Sequence, residues 1–184
     1  MTTFTPLALP EVLLITPKRH GDARGWFSET WSRKAFEAAG LDHDFVQDNQ
    51  AYNPKAGTLR GLHFQTAPAA QAKLLRVLRG AVFDVAVDIR PGSPTYGKFA
   101  SATLTAEGGE QILVPRGFAH GYLTLTDDCE VAYKVDGPYA PETEGGLVWN
   151  DAAIGIPWPL AGEPMVNARD QAWPALKDLP AQAF

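Results

Sequence analysis

The chain has 184 residues, enough for one domain with a sizeable core, and its apolar content is ordinary for a globular protein. A net charge of −5 with no lysine- or arginine-rich run argues against nucleic acid as a partner. Cys129 is the single cysteine, which excludes an intrachain disulfide and a cysteine zinc site. No basic segment precedes an apolar stretch at the N-terminus and no apolar run approaches a membrane span, so a cytoplasmic location is the expectation.

In chain order, Val12–Thr16 predicts a strand. Ser32–Ala39 predicts a short helix that covers the fold, with Ser32 as N-cap and Gly40 as the stop. Leu74–Leu78 and Val82–Ile89, joined at Arg79-Gly80, predict a hairpin. In its second arm Phe83, Val85, Val87 and Ile89 share one face, while Asp84 and Asp88 share the other. Further strands are expected at Phe99–Leu104, Gln111–Val114, Gly121–Leu125 and Glu130–Val135. Starts spaced by roughly 8–12 residues suit an antiparallel sandwich or barrel. After Asp136 proline and glycine become frequent, which predicts a tail wrapped over the surface and able to deliver a residue or two to a site. No linker or repeat divides the chain, so residues 1–184 are read as a single domain.

Several side chains could carry chemistry. His63 lies in Arg60-Gly61-Leu62-His63-Phe64-Gln65, and strand alternation puts it on the face of Leu59 and Gly61, where the glycine leaves room for a ligand. By spacing alone, a histidine bonded within the core or lying exposed fits better than a ligand-facing one. Tyr133 shares the face of Val131 and Val135, which points it inward; a core tyrosine bonded to backbone satisfies the same pattern. Lys73, Arg24, Arg60 and Arg169 are isolated cations and Asp170 a tail carboxylate, each compatible with a solvated surface position. His120, in Pro115-Arg116-Gly117-Phe118-Ala119-His120-Gly121, has the shape of half a cupin metal motif. The other half would need a second histidine where Gln65 stands, so a metal-free site is expected.

Taken together these blocks resemble the dTDP-4-dehydrorhamnose 3,5-epimerases. The resemblance runs through Asp22-Ala23-Arg24-Gly25-Trp26-Phe27, Phe45-Val46-Gln47-Asp48-Asn49, Leu59 to Gln65, Val82 to Arg90 and Ser93-Pro94-Thr95-Tyr96-Gly97. Pro115 to Gly121, Tyr139-Ala140-Pro141-Glu142 and Trp149-Asn150-Asp151 complete it. It implies a mainly β, cupin-like antiparallel jelly-roll barrel with one or two short helices, assembled as a homodimer. It implies His63 as the base, oriented by Asp170, Tyr133 as the acid on the opposite face of the sugar, and Lys73 near the ketone oxygen. Arg24, Glu29, Gln47, Asn49, Arg60, His120, Glu144 and Arg169 match substrate-contacting positions, and Tyr139 one that packs on the nucleotide base. The family usually carries lysine where Arg169 stands, and phenylalanine where Trp26 stands.

The implied substrate is a dTDP-4-keto-6-deoxyhexose, and no cofactor is implied. C3 and C5 both flank the C4 ketone, so one carbonyl acidifies both centres. A neutral imidazole, with an ordinary pKa of about 6.5, accepts a proton near neutrality. The chain shows no dinucleotide fingerprint and no P-loop. Alternatives on the same barrel are an epimerase acting at C3 or C5 only, a 3,4-ketoisomerase, a non-enzymatic sugar-binding cupin and a metal-dependent oxygenase. The histidine, tyrosine and aspartate set disfavours simple sugar binding, and Gln65 disfavours the oxygenase.

Overall fold

Period-two alternation of apolar residues runs through several of the strands, and two antiparallel sheets form the body of the fold. The computed structural model describes residues 1–181 and 183–184. Its strands are β1 (Thr3–Pro6), β2 (Leu13–Thr16), β3 (Arg19–Asp22), β4 (Gly25–Ser28), β5 (Gln47–Asn53), β6 (Leu59–Gln65) and β7 (Lys73–Arg79). They continue as β8 (Ala81–Asp88), β9 (Phe99–Thr105), β10 (Gln111–Val114), β11 (Phe118–Thr124), β12 (Cys129–Val135) and β13 (Glu144–Gly146). Two short helices, α1 (Arg33–Ala38) and α2 (Ala168–Gln171), join them.

One sheet has the order β1-β2-β10-β7-β12-β5, the other β13-β6-β11-β8-β9, and β3-β4 is a separate hairpin. Between the sheets lies a core that includes Leu75, Val77, Val82, Ala86, Leu104, Ile112, Phe118, Tyr122 and Val131. This is the jelly-roll barrel expected from the sequence.

Helix α1 covers the outer face of the six-stranded sheet, as expected. Ser32 caps it by accepting from the Ala35 N–H. Phe36, 2% exposed, packs on Ile15, Leu74 and Leu113. Burying such a ring contributes roughly 1.5–3 kcal/mol. The tail after Asp136 covers the other sheet: Ile154, Ile156, Trp158, Leu176 and Leu179 pack against Val85, Val87 and Ile89. No helix among the described residues is long and apolar enough to cross a membrane.

Two expectations are corrected here. β7 and β8 are not a hairpin, because β7 pairs with β10 and β12 while β8 pairs with β11 and β9. The Arg79-Gly80 corner carries the chain from one sheet to the other, with Gly80 at φ +78°. Two apolar neighbours separated by a glycine corner look alike in sequence whether they pair or part. The second correction concerns β6. A register shift opposite β11 places one extra residue between Arg60, opposite Tyr122, and His63, opposite His120. Arg60 and His63 therefore both face the interior, although alternation puts them on opposite faces.

Candidate active site

The cleft opens between the two sheets at one end of the barrel. Strict alternation along β7 places Lys73 in line with the interior residues Leu75 and Val77. In β12, Tyr133 follows Val131 in the same row, with Asn49 opposite it in β5 and Leu75 opposite it in β7. Gln47 and Asn49 join the row from β5 and bond to each other, Gln47 Nε2 donating to Asn49 Oδ1 at 2.8 Å. β5 is a polar edge strand and carries no apolar pattern to announce it; its signal is Gln47, Asn49, Ala51 and Asn53 at every second position.

The facing wall is irregular. Gly61 sits at the bulge with φ +124°, and a Cβ there would stand 2.7 Å from the Gly121 Cα and 2.8 Å from the His120 carbonyl oxygen. The glycine therefore admits the neighbouring backbone rather than a ligand, which corrects the expectation drawn from its spacing. The same bulge frees the Gly61 N–H, which donates to Asp170 Oδ2 at 3.0 Å. His63 Nε2 lies 2.8 Å from Asp170 Oδ1. Asp170 comes from α2, where Asn167 as N-cap accepts from the Asp170 N–H at 2.6 Å. Trp173 backs the pair, its ring edge-on to His63 with centroids 6.4 Å apart. A Cβ on Gly146 would strike that indole.

Burial sets the electrostatics. It works to raise the Asp170 carboxyl, but the bonds from His63 and the Gly61 N–H outweigh it and hold the group below the usual carboxylate range. Burial lowers the Lys73 ammonium to about 8, with Asp84 and Glu144 opposing it. Burial also raises the Tyr133 phenol, so it keeps its proton at neutral pH. Lys73 Nζ donates to the His63 carbonyl at 3.3 Å. Asp84, which no motif singled out as a site residue, is fully buried, and both its oxygens lie 3.0 Å from His120 Nε2.

Arg60, His63, Lys73, His120, Tyr133 and Asp170 line one cavity of about 340 Å³. An adjoining hollow of about 230 Å³ shares His63, Lys73 and Tyr133 and adds Gln47 and Asn49. Across the mouth, Arg169 donates to both Glu144 oxygens at 3.0 and 2.7 Å, and the Tyr139 hydroxyl donates to Glu144 at 2.9 Å. Arg60 Nε donates to the buried Asn53 at 2.8 Å. Arg24 and Glu29 are not brought to this cleft. Arg24 projects from the β3-β4 hairpin with its side chain 90% exposed and paired to Asp22. Glu29 borders a separate hollow of about 820 Å³ that holds none of the other matched residues. Gln65 is a brace: its amide donates to the Ala69 and Pro138 carbonyls and accepts from the Ala140 N–H.

The family model described as dTDP-4-dehydrorhamnose 3,5-epimerase matches residues 6–178. The chain is 50% identical over 177 residues to the dTDP-4-dehydrorhamnose 3,5-epimerase of Sinorhizobium fredii, covering 96% of this chain and 91% of that protein. It is similar to the crystal structure of dTDP-6-deoxy-D-glucose-3,5-epimerase from Legionella pneumophila in complex with dTDP-4-keto-L-rhamnose. That match has a TM-score of 0.95 at 38% identity, over 100% of this chain and 99% of that one. The Bacillus anthracis dTDP-4-dehydrorhamnose 3,5-epimerase, with TDP and PPi bound, gives a TM-score of 0.92 at 42% identity over 95% and 99% of the two chains.

Proposed function

We propose that this chain, which belongs to the dTDP-4-dehydrorhamnose 3,5-epimerase family, inverts C3 and C5 of dTDP-4-dehydro-6-deoxyglucose to give dTDP-4-dehydrorhamnose. The observation that carries the reading is the placement of two proton-handling groups on opposite walls of one cleft: His63 with Asp170 on the five-stranded side, and Tyr133 on the six-stranded side. Inversion needs a proton removed from one face of the ring and another delivered to the opposite face.

In this reading His63 takes the proton from the carbon beside the ketone and becomes an imidazolium. Asp170 fixes the imidazole through Nε2 and stabilises the charge that forms. The C–H electron pair moves into the ring as an enolate, and negative charge grows on the C4 oxygen, which the Lys73 ammonium stabilises. Tyr133 gives its phenol proton to the opposite face, and solvent then resets both groups. The same steps repeat at the second carbon. Arg60 and Arg169 are assigned to the substrate's diphosphate and sugar, since planar guanidinium forks match phosphate oxygens. The Glu144 bonds of Arg169 and Tyr139 are then exchanged for substrate contacts. No cofactor enters any step.

We assign Arg24 and Glu29 to a substrate contact made in a homodimer, because they stand outside the cleft of their own chain. Trp26 and Phe27 of the same hairpin are 59% and 72% exposed, which a second copy would cover. Light scattering checks this: a monomer at working concentration contradicts it. A cytoplasmic location completes the proposal.

The reaction is tested with dTDP-4-keto-6-deoxyglucose in D₂O, followed by NMR. Deuterium is expected at both C3 and C5 with inverted configuration. Label at one carbon only would make the enzyme a mono-epimerase, and a keto group migrated to C3 would make it a ketoisomerase.

A further inference from the structure

The cleft contains a second imidazole–carboxylate pair whose acidic member has no part in the steps above. β8 alternates Val82, Asp84 and Ala86 toward the barrel interior, and the two apolar residues pack in its core. An aspartate in that row is 0% exposed. A buried carboxylate without partners is strongly disfavoured. The partner here is His120 on the neighbouring strand.

We propose that Asp84 is a positioning residue of this site: it holds His120 by Nε2 and leaves Nδ1 as an acceptor toward the cleft. What the positioned imidazole does rests on the epimerase reading; the placement itself does not.

The geometry supports this. Both Asp84 oxygens are 3.0 Å from Nε2, which suits an N–H shared between the two oxygens of a carboxylate. A protonated carboxyl would instead point one O–H at the ring nitrogen. With Nε2 committed, Nδ1 is the nitrogen left for a ligand, and His120 lines the same cavity as His63 and Tyr133. There it can accept a hydrogen bond from a sugar hydroxyl.

¹⁵N NMR of the whole wild-type protein tests this by reading the His120 tautomer at neutral pH; it needs no turnover, so its failure is separate from failure of the deuterium experiment. The Nε2–H form is expected, and an Nδ1–H ring or an imidazolium overturns the positioning role.

Discussion

The two walls of the cleft are built by different rules. On the six-stranded side Lys73 and Tyr133 fall in the interior rows of β7 and β12 by simple alternation, beside Leu75 and Val131. On the five-stranded side alternation is broken at Gly61, and the bulge turns Arg60 and His63 to the same face. The partner of His63 arrives from 107 residues further along the chain. A regular strand is well suited to holding a cation or a phenol at fixed depth. The proposed base has more around it: an orienting carboxylate, a freed N–H to hold that carboxylate, and a ring that still reaches the cleft, with 26% of the His63 side chain exposed.

The contrast can be broken first at the irregular wall. His63→Ala removes the proposed base and is expected to abolish deuterium uptake at both C3 and C5, a loss of roughly 10²–10⁴-fold or more. Near-normal exchange in the variant would hand proton removal to another group.

The regular wall comes next. Lys73→Met keeps most of the stem and removes the charge, and kcat is expected to fall by about 10²–10³-fold with substrate affinity changed less. Because burial sets the wild-type ammonium at about 8, activity is expected to decline as pH rises through that value and the proton is lost. That limb is expected to vanish from the residual activity of the variant. Weakened binding at unchanged kcat would move Lys73 from the ketone oxygen to the phosphates or the sugar hydroxyls.

The smallest effect is expected in stability. Gly61→Ala places a methyl against the β11 backbone at a positive φ, and overpacking of this kind costs about 1–3 kcal/mol. Thermal melting should show the loss, with activity reduced beyond it because Arg60, His63 and the N–H to Asp170 move together. A variant as stable and active as wild type would mean that the bulge does not hold the base.

The same two walls explain what could be read from the sequence. The strand rows of β10 and β12, the inward Tyr133 and the covering helix followed from apolar period and capping alone. Resemblance supplied what periodicity could not: nothing in the spacing of Asp170 ties it to His63, since the tie depends on α2 docking against a bulge. A glycine that makes room for a ligand and one that admits a neighbouring backbone look the same in one dimension, so the bulge at Gly61 leaves no mark in the spacing. Asp84 is hidden for a related reason. Its neighbours Phe83 and Val85 mark the apolar face of β8, yet that face turns outward under the tail and the aspartate row turns in. Arg24 and Glu29 match the family's motif, yet they stand outside their own chain's cleft, which the spacing gives no means to see.

Proton removal and proton return are assigned to opposite walls, and Tyr133→Phe tests that assignment most directly. The change keeps the ring and removes only the hydroxyl. Substrate recovered from D₂O is expected to carry deuterium in its original configuration, because His63 still takes a proton and returns one to the same face, while net inversion falls sharply. Inversion at the wild-type rate in folded Tyr133→Phe protein would contradict the account.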